Sequence, residues 1–183
     1  SPGHAIIGQV TLYPIQKGGA GMEAAAAAVL APEEAVEAYG PLVLRTAYTL
    51  VKNPQDAEDI AQEVFLSLVK NAPAFESPEH QKAWLLRCAI NRCKSHFRSA
   101  WQRRTGPLDE GLAAPFTPEE AGVVEAVAKL PLKYRQVIYL HYIEGYSTAE
   151  IAGLLGLNQN TVLSQLSRGR ALLKTALKGD FEP

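Results

Sequence analysis

The 183-residue sequence holds only two cysteines, and no apolar run approaches the ~20 residues that a membrane-spanning helix needs. No basic segment leads into an apolar one, so no secretory signal is visible. Cys88 and Cys93 lie five residues apart in a helical pattern, which places them on different helix faces and disfavours a mutual disulfide. These features predict a cytoplasmic protein with reduced thiols. The four histidines are scattered, so we expect no metal site and no cofactor.

The net charge of −1 conceals a strong segregation of charge along the chain. Residues 23–83 have a net charge of −6, whereas residues 84–105 contain six bases and no acid. Residues 106–128 contain five acids and no base, and residues 129–178 have a net charge of +5. Phosphate attracts the basic segments and is repelled by the acidic ones. The pattern therefore indicates distinct partners for distinct surfaces.

Apolar residues recur at helical spacing through most of the chain, which predicts an all-α protein of two small helical domains. Residues 105–118 contain three prolines and two glycines without helical periodicity, so we interpret them as a flexible linker. The linker separates a domain at 23–104 from a domain at 119–178. In the first domain we expect helices after Pro41, from Asn53 and Pro54, and over 80–104.

Residues 1–21 differ from the rest of the chain. Residues 4–15 are β-branched and partly alternating, which predicts one extended segment. We interpret residues 1–21 as a leader, tag or fused peptide that ends in a flexible glycine-rich joint. A natural arm that adds a strand to a partner's sheet is the alternative.

Residues 147–166, "STAEIAGLLGLNQNTVLSQL", have the layout of a helix-turn-helix, whose second helix enters the DNA major groove. Ser147 and Glu150 form a capping box, and Gly156 suits the left-handed turn between the helices. An ordinary helical hairpin is the alternative. The residues that could face bases are Gln159, Asn160, Thr161, Ser164 and Gln165. Those that could hold phosphates are Lys133, Arg135, Arg168, Arg170 and Lys174, too few for strong binding by this domain alone.

Two helices of the first domain have opposite character. The helix at 84–104 interleaves aromatic and apolar residues with six bases, which favours a nucleic-acid surface over a merely solvated basic face. The helix at 55–71 instead clusters acids at its N-terminal end. A solvated helix end and a docking surface for a basic protein partner are both possible interpretations of those acids.

Together these segments resemble bacterial RNA polymerase sigma factors of the extracytoplasmic-function group, in the sigma-70 family. The stretches that carry the resemblance are "DAEDIAQEVFLSLVKN", "WLLRCAINRCKSHFRSAWQRR", the proline-containing linker and the helix-turn-helix. The resemblance implies an alternative sigma factor that directs promoter recognition, melting and transcription initiation. Its implied partners are core RNA polymerase (the β′ clamp helices and the β subunit), promoter DNA and an anti-sigma factor, without membrane contact of its own.

The resemblance also implies roles for individual residues. The polymerase-binding residues would be Asp56, Asp59, Gln62, Glu63 and Phe65. The residues for the minus-ten element would be Arg87, Ala89, Asn91, Arg92, Lys94 and Arg98, with Asn91 near the pocket for a flipped-out base. The residues for the minus-thirty-five element would be Gln159, Asn160, Thr161, Ser164, Gln165, Arg168 and Arg170. Family members usually carry Lys and Arg near positions 163 and 165, where this chain has Leu163 and Gln165.

Two other functions compete with this interpretation. A stand-alone helix-turn-helix regulator would bind duplex DNA by itself, usually as a dimer, and the sequence shows no dimerisation helix. A nucleic-acid enzyme would need a Ser or Tyr nucleophile near clustered arginines, or grouped carboxylates for a metal. The acids at 56–63 lie on one helix, and Tyr134 and the tyrosines after it fit core positions. We therefore do not expect an enzyme.

Overall fold

The computed structural model describes residues 5–7, 10–12, 28–102 and 125–179, and the chain divides into two compact units. One unit is Glu23–Thr117, and the other combines Pro118–Pro183 with Ser1–Met22. Helices dominate the described residues, which confirms the all-α prediction. None of those helices is long and apolar enough to cross a membrane. The predicted linker and the first residues of the predicted second domain lie outside the described residues.

Two short strands pair near the N-terminus: β1, Ala5–Ile7, and β2, Val10–Leu12. They are antiparallel, so Ala5 lies opposite Leu12 and Ile7 lies opposite Val10. The prediction of one extended segment over residues 4–15 is therefore wrong. Ile6 pairs with Thr11 and Ile7 pairs with Val10, so the β-branched residues belong to two paired strands.

Helix α1, Pro32–Val51, begins earlier than the sequence predicts and runs through Pro41. Proline suits the first turn, where no N–H is needed, and the Glu34 carboxylate accepts the Ala31 backbone N–H at 3.1 Å. A proline inside a helix costs ~3 kcal/mol. Burial of apolar side chains on both sides of Pro41 offsets that cost, namely Ala35, Tyr39, Leu42 and Val43.

Helices α2, Pro54–Asn71, and α3, Pro78–Gln102, complete the described part of the first unit. Asn53 begins α2 as predicted, since its side-chain oxygen accepts a first-turn backbone N–H at 3.1 Å. The hydroxyl of Ser77 accepts the equivalent N–H of α3 at 3.1 Å, so α3 begins slightly before the predicted position. The three helices share one core that includes Val43, Ala47, Leu50, Ala57, Ile60, Val64, Leu68, Leu85, Leu86 and Ile90.

The second unit has a helical turn at 125–128 and α4, Leu132–Ile138, which continues as a π-helical turn, Tyr139–Ile143. Helices α5, Thr148–Leu155, and α6, Gln159–Gly179, follow. Their buried faces form a core of Val137, Ile138, Leu140, Ile151, Leu155, Val162, Leu166 and Leu173.

Gln81 fixes the segment that leads into α1. Its buried amide accepts the Leu30 backbone N–H at 2.9 Å and donates to the Leu30 carbonyl at 2.8 Å. Replacing Gln81 with leucine leaves both backbone groups without these bonds, which we expect to lower the free energy of unfolding by about 2 kcal/mol. Thermal unfolding should show a Tm lower by about 10 °C. Gln62→Leu, at an exposed amide, is the control, and equal melting of the two variants would contradict the prediction.

Candidate functional site

The outward side of α2 combines polar and apolar side chains. Asp59, Gln62, Leu66 and Val69 follow one another at spacings of three and four residues, so they lie along one helix face. All four are exposed, Leu66 by 54% and Val69 by 60%. We call these four residues the outer face of α2. Adjacent exposed apolar side chains are typical of a surface that a partner covers.

The flank of α2 beside α3 holds two more acids. The Glu63 Oε2 lies 2.7 Å from Arg92 Nη1, and the Arg92 guanidinium also donates to the Ser67 hydroxyl. The Asp56 Oδ2 lies 3.1 Å from His96 Nε2. The five predicted polymerase-binding residues are therefore not one surface: Asp59 and Gln62 lie on the outer face of α2, Asp56 and Glu63 contact α3, and Phe65 is partly buried.

Four of the predicted minus-ten residues share one face of α3. Arg87, Asn91, Lys94 and Arg98 recur at spacings of three and four residues. Lys94 is partly exposed, and the other three are exposed. We call these four residues the basic face of α3. It presents three cations and one amide to solvent, which is a suitable surface for a phosphate backbone and an unpaired base.

The other two predicted minus-ten residues on α3 are oriented differently. Ala89 is completely buried, so the prediction that it contacts DNA is wrong. Its position falls on the helix face that packs into the core with Leu85 and Leu86. Arg92 is partly exposed, but its guanidinium is ion-paired with Glu63 across to α2.

Neither cysteine has the environment of a reactive thiol. Cys93 is buried and Cys88 is partly exposed, and they do not form a disulfide. Burial raises the pKa of the Cys88 thiol, although Arg92 and Arg87 act in the opposite direction. A raised pKa keeps the thiol protonated and unreactive at neutral pH. Within the described ranges, no group of three His, Cys, Asp or Glu side chains could hold a metal ion.

The predicted helix-turn-helix is present in the second unit. The Ser147 hydroxyl accepts the Glu150 backbone N–H at 3.2 Å, and the Glu150 carboxylate accepts the Ser147 N–H at 2.8 Å, so α5 begins with a capping box. Gly156 ends α5 with a φ of 65°, in the left-handed region. The side-chain oxygen of Asn158 accepts the Asn160 N–H at 2.8 Å and begins α6.

The N-terminal half of α6 carries the predicted base-reading side chains. Gln165 is partly buried, and its Oε1 has no hydrogen-bond partner among the described residues. Gln159 donates to the Thr148 hydroxyl at 2.9 Å, which ties α6 to α5. The side chains that α6 exposes on this half include Gln159, Asn160, Thr161, Ser164 and Arg168, along with the apolar Leu163.

Two cations that were expected to hold phosphates make bonds within the protein. Arg135 is only 5% exposed, and its Nε and Nη2 donate to the Leu130 carbonyl at 3.1 and 2.8 Å. The prediction for Arg135 is wrong, because its guanidinium satisfies a backbone carbonyl at the start of α4. Arg170 is partly buried and donates to the Tyr142 hydroxyl at 2.9 Å, which restricts its reach toward DNA.

An open cleft of about 310 Å³ lies between α4 and the N-terminal half of α6. We call it the α4–α6 cleft. Its lining consists of Lys133, Tyr134, Asn160, Thr161, Ser164, Gln165 and Arg168. The expectation that Tyr134 is a core residue is therefore wrong, because its side chain is partly exposed and lines the cleft.

Tyr134 lies beside a cation in the α4–α6 cleft. The Lys133 Nζ lies 4.9 Å from the centre of the Tyr134 ring. Desolvation acts to raise the pKa of the Tyr134 hydroxyl, but hydrogen bonds from Lys133 and Arg168 and their charges hold that pKa below its ordinary value. The cleft thus brings one cation of α4 and one cation of α6 to the same tyrosine.

Comparison with known proteins covers both units. The family model Sigma-70 region 2 matches residues 35–103, and the model Sigma-70, region 4 matches residues 121–173. The chain is 31% identical to the ECF RNA polymerase sigma factor SigM of Mycobacterium tuberculosis, over 73% of this chain and 70% of SigM. It is 32% identical to the ECF RNA polymerase sigma factor SigW of Bacillus subtilis, over 78% of this chain and 87% of SigW.

Two solved structures share the architecture of this chain. The sigma factor RpoE of Bartonella quintana, in complex with the anti-sigma factor NepR, matches with a TM-score of 0.67 at 21% identity, over 80% of this chain and 96% of RpoE. CnrH, in complex with the cytosolic domain of CnrY, matches with a TM-score of 0.60 at 26% identity, over 81% of this chain and 88% of CnrH. With successive sigma-70 regions in its two units and relatives above 30% identity over most of their length, the chain belongs to the extracytoplasmic-function group of the sigma-70 family of RNA polymerase sigma factors.

Proposed function

We propose that this sigma factor docks on core RNA polymerase through the outer face of α2 and then directs promoter recognition, melting and initiation. The observation that carries the proposal is the exposure of Leu66 and Val69 beside Asp59. Covering the two apolar side chains removes their surface from water, and the carboxylate adds attraction to a basic partner. The β′ clamp helices would take this face, and the β subunit would supply further contacts.

We propose that the basic face of α3 melts and reads the minus-ten element. Arg87, Lys94 and Arg98 would hold backbone phosphates, while the Asn91 amide hydrogen-bonds to a flipped-out base. Extruding a base costs on the order of a few kcal/mol. Phosphate contacts and the energy of polymerase docking offset that cost, so melting depends on the complex with polymerase.

The helix-turn-helix would read the minus-thirty-five element as duplex. The exposed Asn160, Thr161 and Ser164 can reach base edges from the start of α6 in the major groove. This unit alone has few exposed cations, so it binds weakly by itself. Holding both sigma units on one polymerase gives each a high effective concentration at the promoter, which makes weak individual contacts sufficient.

An anti-sigma factor is the second partner that we propose. RpoE and CnrH, which this chain resembles, were each solved with a partner, NepR and the cytosolic domain of CnrY. A regulator that covers the outer face of α2 would compete directly with polymerase for Leu66 and Val69. We also propose that the protein acts in the cytoplasm, because polymerase and promoter DNA are found there.

Run-off transcription with core bacterial RNA polymerase on a pool of promoters tests the proposed function. We expect transcripts that require both the polymerase and this chain, and that start from a subset of the pool. Promoters enriched in that subset then define the two DNA elements. A chain that shifts duplex DNA alone and never changes the output of polymerase would instead be a stand-alone regulator.

A further inference from the structure

An acid of α2 and a base of α3 are bonded to each other. The Glu63 Oε2 lies 2.7 Å from Arg92 Nη1, and Arg92 Nη2 donates to the Ser67 hydroxyl. In this arrangement the Arg92 guanidinium faces α2, and a carboxylate lies directly against it. A cation paired in this way attracts phosphate less than an unpaired cation does, because the carboxylate repels the same phosphate.

Glu63 borders the outer face of α2. It follows Asp59 by four residues and precedes Leu66 by three, so the three side chains are neighbours on the helix surface. The Glu63 side chain is 57% exposed although it is paired. A basic partner that covers Asp59 and Leu66 therefore also reaches the Glu63 carboxylate, and its cations can donate to that carboxylate in place of Arg92.

Arg92 lies beside the basic face of α3. It directly follows Asn91, a member of that face, and lies about 100° further round the helix. An arginine side chain has several rotatable bonds, so a guanidinium released by Glu63 can turn from α2 toward a strand on the basic face. Its fork of N–H groups matches two oxygens of one backbone phosphate.

The bond between Glu63 and Arg92 is weak enough to be exchanged. Their side chains are 57% and 36% exposed, and ion pairs at such exposure contribute little to stability. A second contact joins the same two helices, because the His96 Nε2 lies 3.1 Å from the Asp56 Oδ2. Loss of the bond between Glu63 and Arg92 should therefore leave α2 packed on α3.

We propose that Glu63 is a positioning residue that keeps Arg92 away from promoter DNA until polymerase docks on the outer face of α2. Docking engages the Glu63 carboxylate, and the released Arg92 then binds a backbone phosphate beside the minus-ten element. This inference rests on the proposed function and adds to it a coupling between docking and DNA binding. Arg92 contributes to DNA affinity only within the polymerase complex.

The first experiment measures the complete chain without polymerase. Its affinity for a labelled oligothymidylate of about 20 nucleotides is followed over a range of salt concentrations. Arg92→Gln should retain the wild-type slope of log affinity against log salt, because the paired guanidinium holds no phosphate. Glu63→Gln leaves Arg92 unpaired, so the affinity should rise about threefold and the slope should steepen by about 0.7. The double variant Glu63→Gln with Arg92→Gln should return to the wild-type slope.

Glu58→Gln is the matched control for the change in net charge. Glu58 is an exposed acid of α2, and its replacement with glutamine removes the same charge as Glu63→Gln. Because no cation is released, the Glu58→Gln slope should equal the wild-type slope. The Tm of Glu63→Gln should lie within about 3 °C of the wild-type Tm, since an exposed ion pair contributes little to stability.

The second experiment repeats the salt series on the complex of the chain with core polymerase, at a promoter selected by the wild-type protein. Here Arg92→Gln should lower the slope by about 0.7, because docking has released the guanidinium to a phosphate. The same substitution thus has an effect in the polymerase complex and none in the chain without polymerase. A residue that only stabilised the fold would not produce this difference.

Three outcomes would overturn the inference, and they differ in what else they overturn. If Glu63→Gln binds oligothymidylate with the slope of Glu58→Gln, Glu63 does not keep Arg92 from phosphate, and the proposed function stands. If Arg92→Gln leaves the slope of the polymerase complex unchanged, docking does not release Arg92, and the proposed function again stands. If the wild-type chain never forms a promoter complex with polymerase, the proposed function and the release of Arg92 fail together.

Discussion

Replacing Asp59 with lysine is expected to abolish polymerase-dependent transcription by this protein. Asp59 is exposed on the outer face of α2, and Gln55 donates to its carboxylate at 3.4 Å, so the change disturbs no buried contact. Reversing a charge inside a complementary interface costs several kcal/mol, which corresponds to more than about thirtyfold in Kd. A titration of labelled protein with core polymerase measures the loss directly, and run-off transcripts should disappear in parallel.

Two further variants make the experiment specific. Glu37→Lys makes the same charge change at an exposed position of α1, and it should bind polymerase like the wild-type protein. Leu66→Gln removes apolar surface without changing charge and should weaken binding about tenfold. If Asp59→Lys binds polymerase as tightly as Glu37→Lys does, docking takes place on another surface.

Most of the helical architecture could be predicted because core positions recur at regular spacing. Ala57, Ile60, Val64 and Leu68 are all buried at intervals that the sequence already displays. The sequence did not predict that α1 begins before Pro41. The rule that a proline ends a helix considers only the neighbouring residues of the chain. In the folded unit, burial of side chains before and after Pro41 outweighs that local cost.

The functional surfaces were only partly predictable, because they depend on how helices pack. The sequence places Glu63 among the acids of α2 and Arg92 among the bases of α3, but only the packing of the two helices shows that they pair at 2.7 Å. Leu66 and Val69 could have been found from the sequence, since they are apolar yet fall outside the buried stripe of α2.

Cleft residues of the second unit were the hardest to predict. Arg135 and Lys133 lie on the same helix and differ by two positions, yet one caps the Leu130 carbonyl and the other lines the α4–α6 cleft. Tyr134 joins the cleft because α6 crosses α4 at Gly169, a contact between positions far apart in sequence. A single glycine inside a predicted helix gives no indication of which helix passes over it.

Gly169→Val is expected to produce the largest loss of stability in the second unit. Ile138 is fully buried, and its Cγ1 would lie only 2.9 Å from the new Cβ, so the Ile138 side chain or the two helices must shift. Valine adds two further methyl groups at the same crossing. Overpacking of this kind costs about 3 kcal/mol, which should lower the Tm of the unit by about 15 °C in a thermal unfolding experiment.

Gly153→Val is the matched control, because a Cβ at Gly153 in α5 would meet nothing within 4 Å. Valine is no worse than glycine for helix formation, so the Tm of this variant should lie within about 3 °C of the wild-type Tm. If Gly169→Val and Gly153→Val unfold at the same Tm, the crossing of α4 and α6 can widen without a loss in the free energy of unfolding.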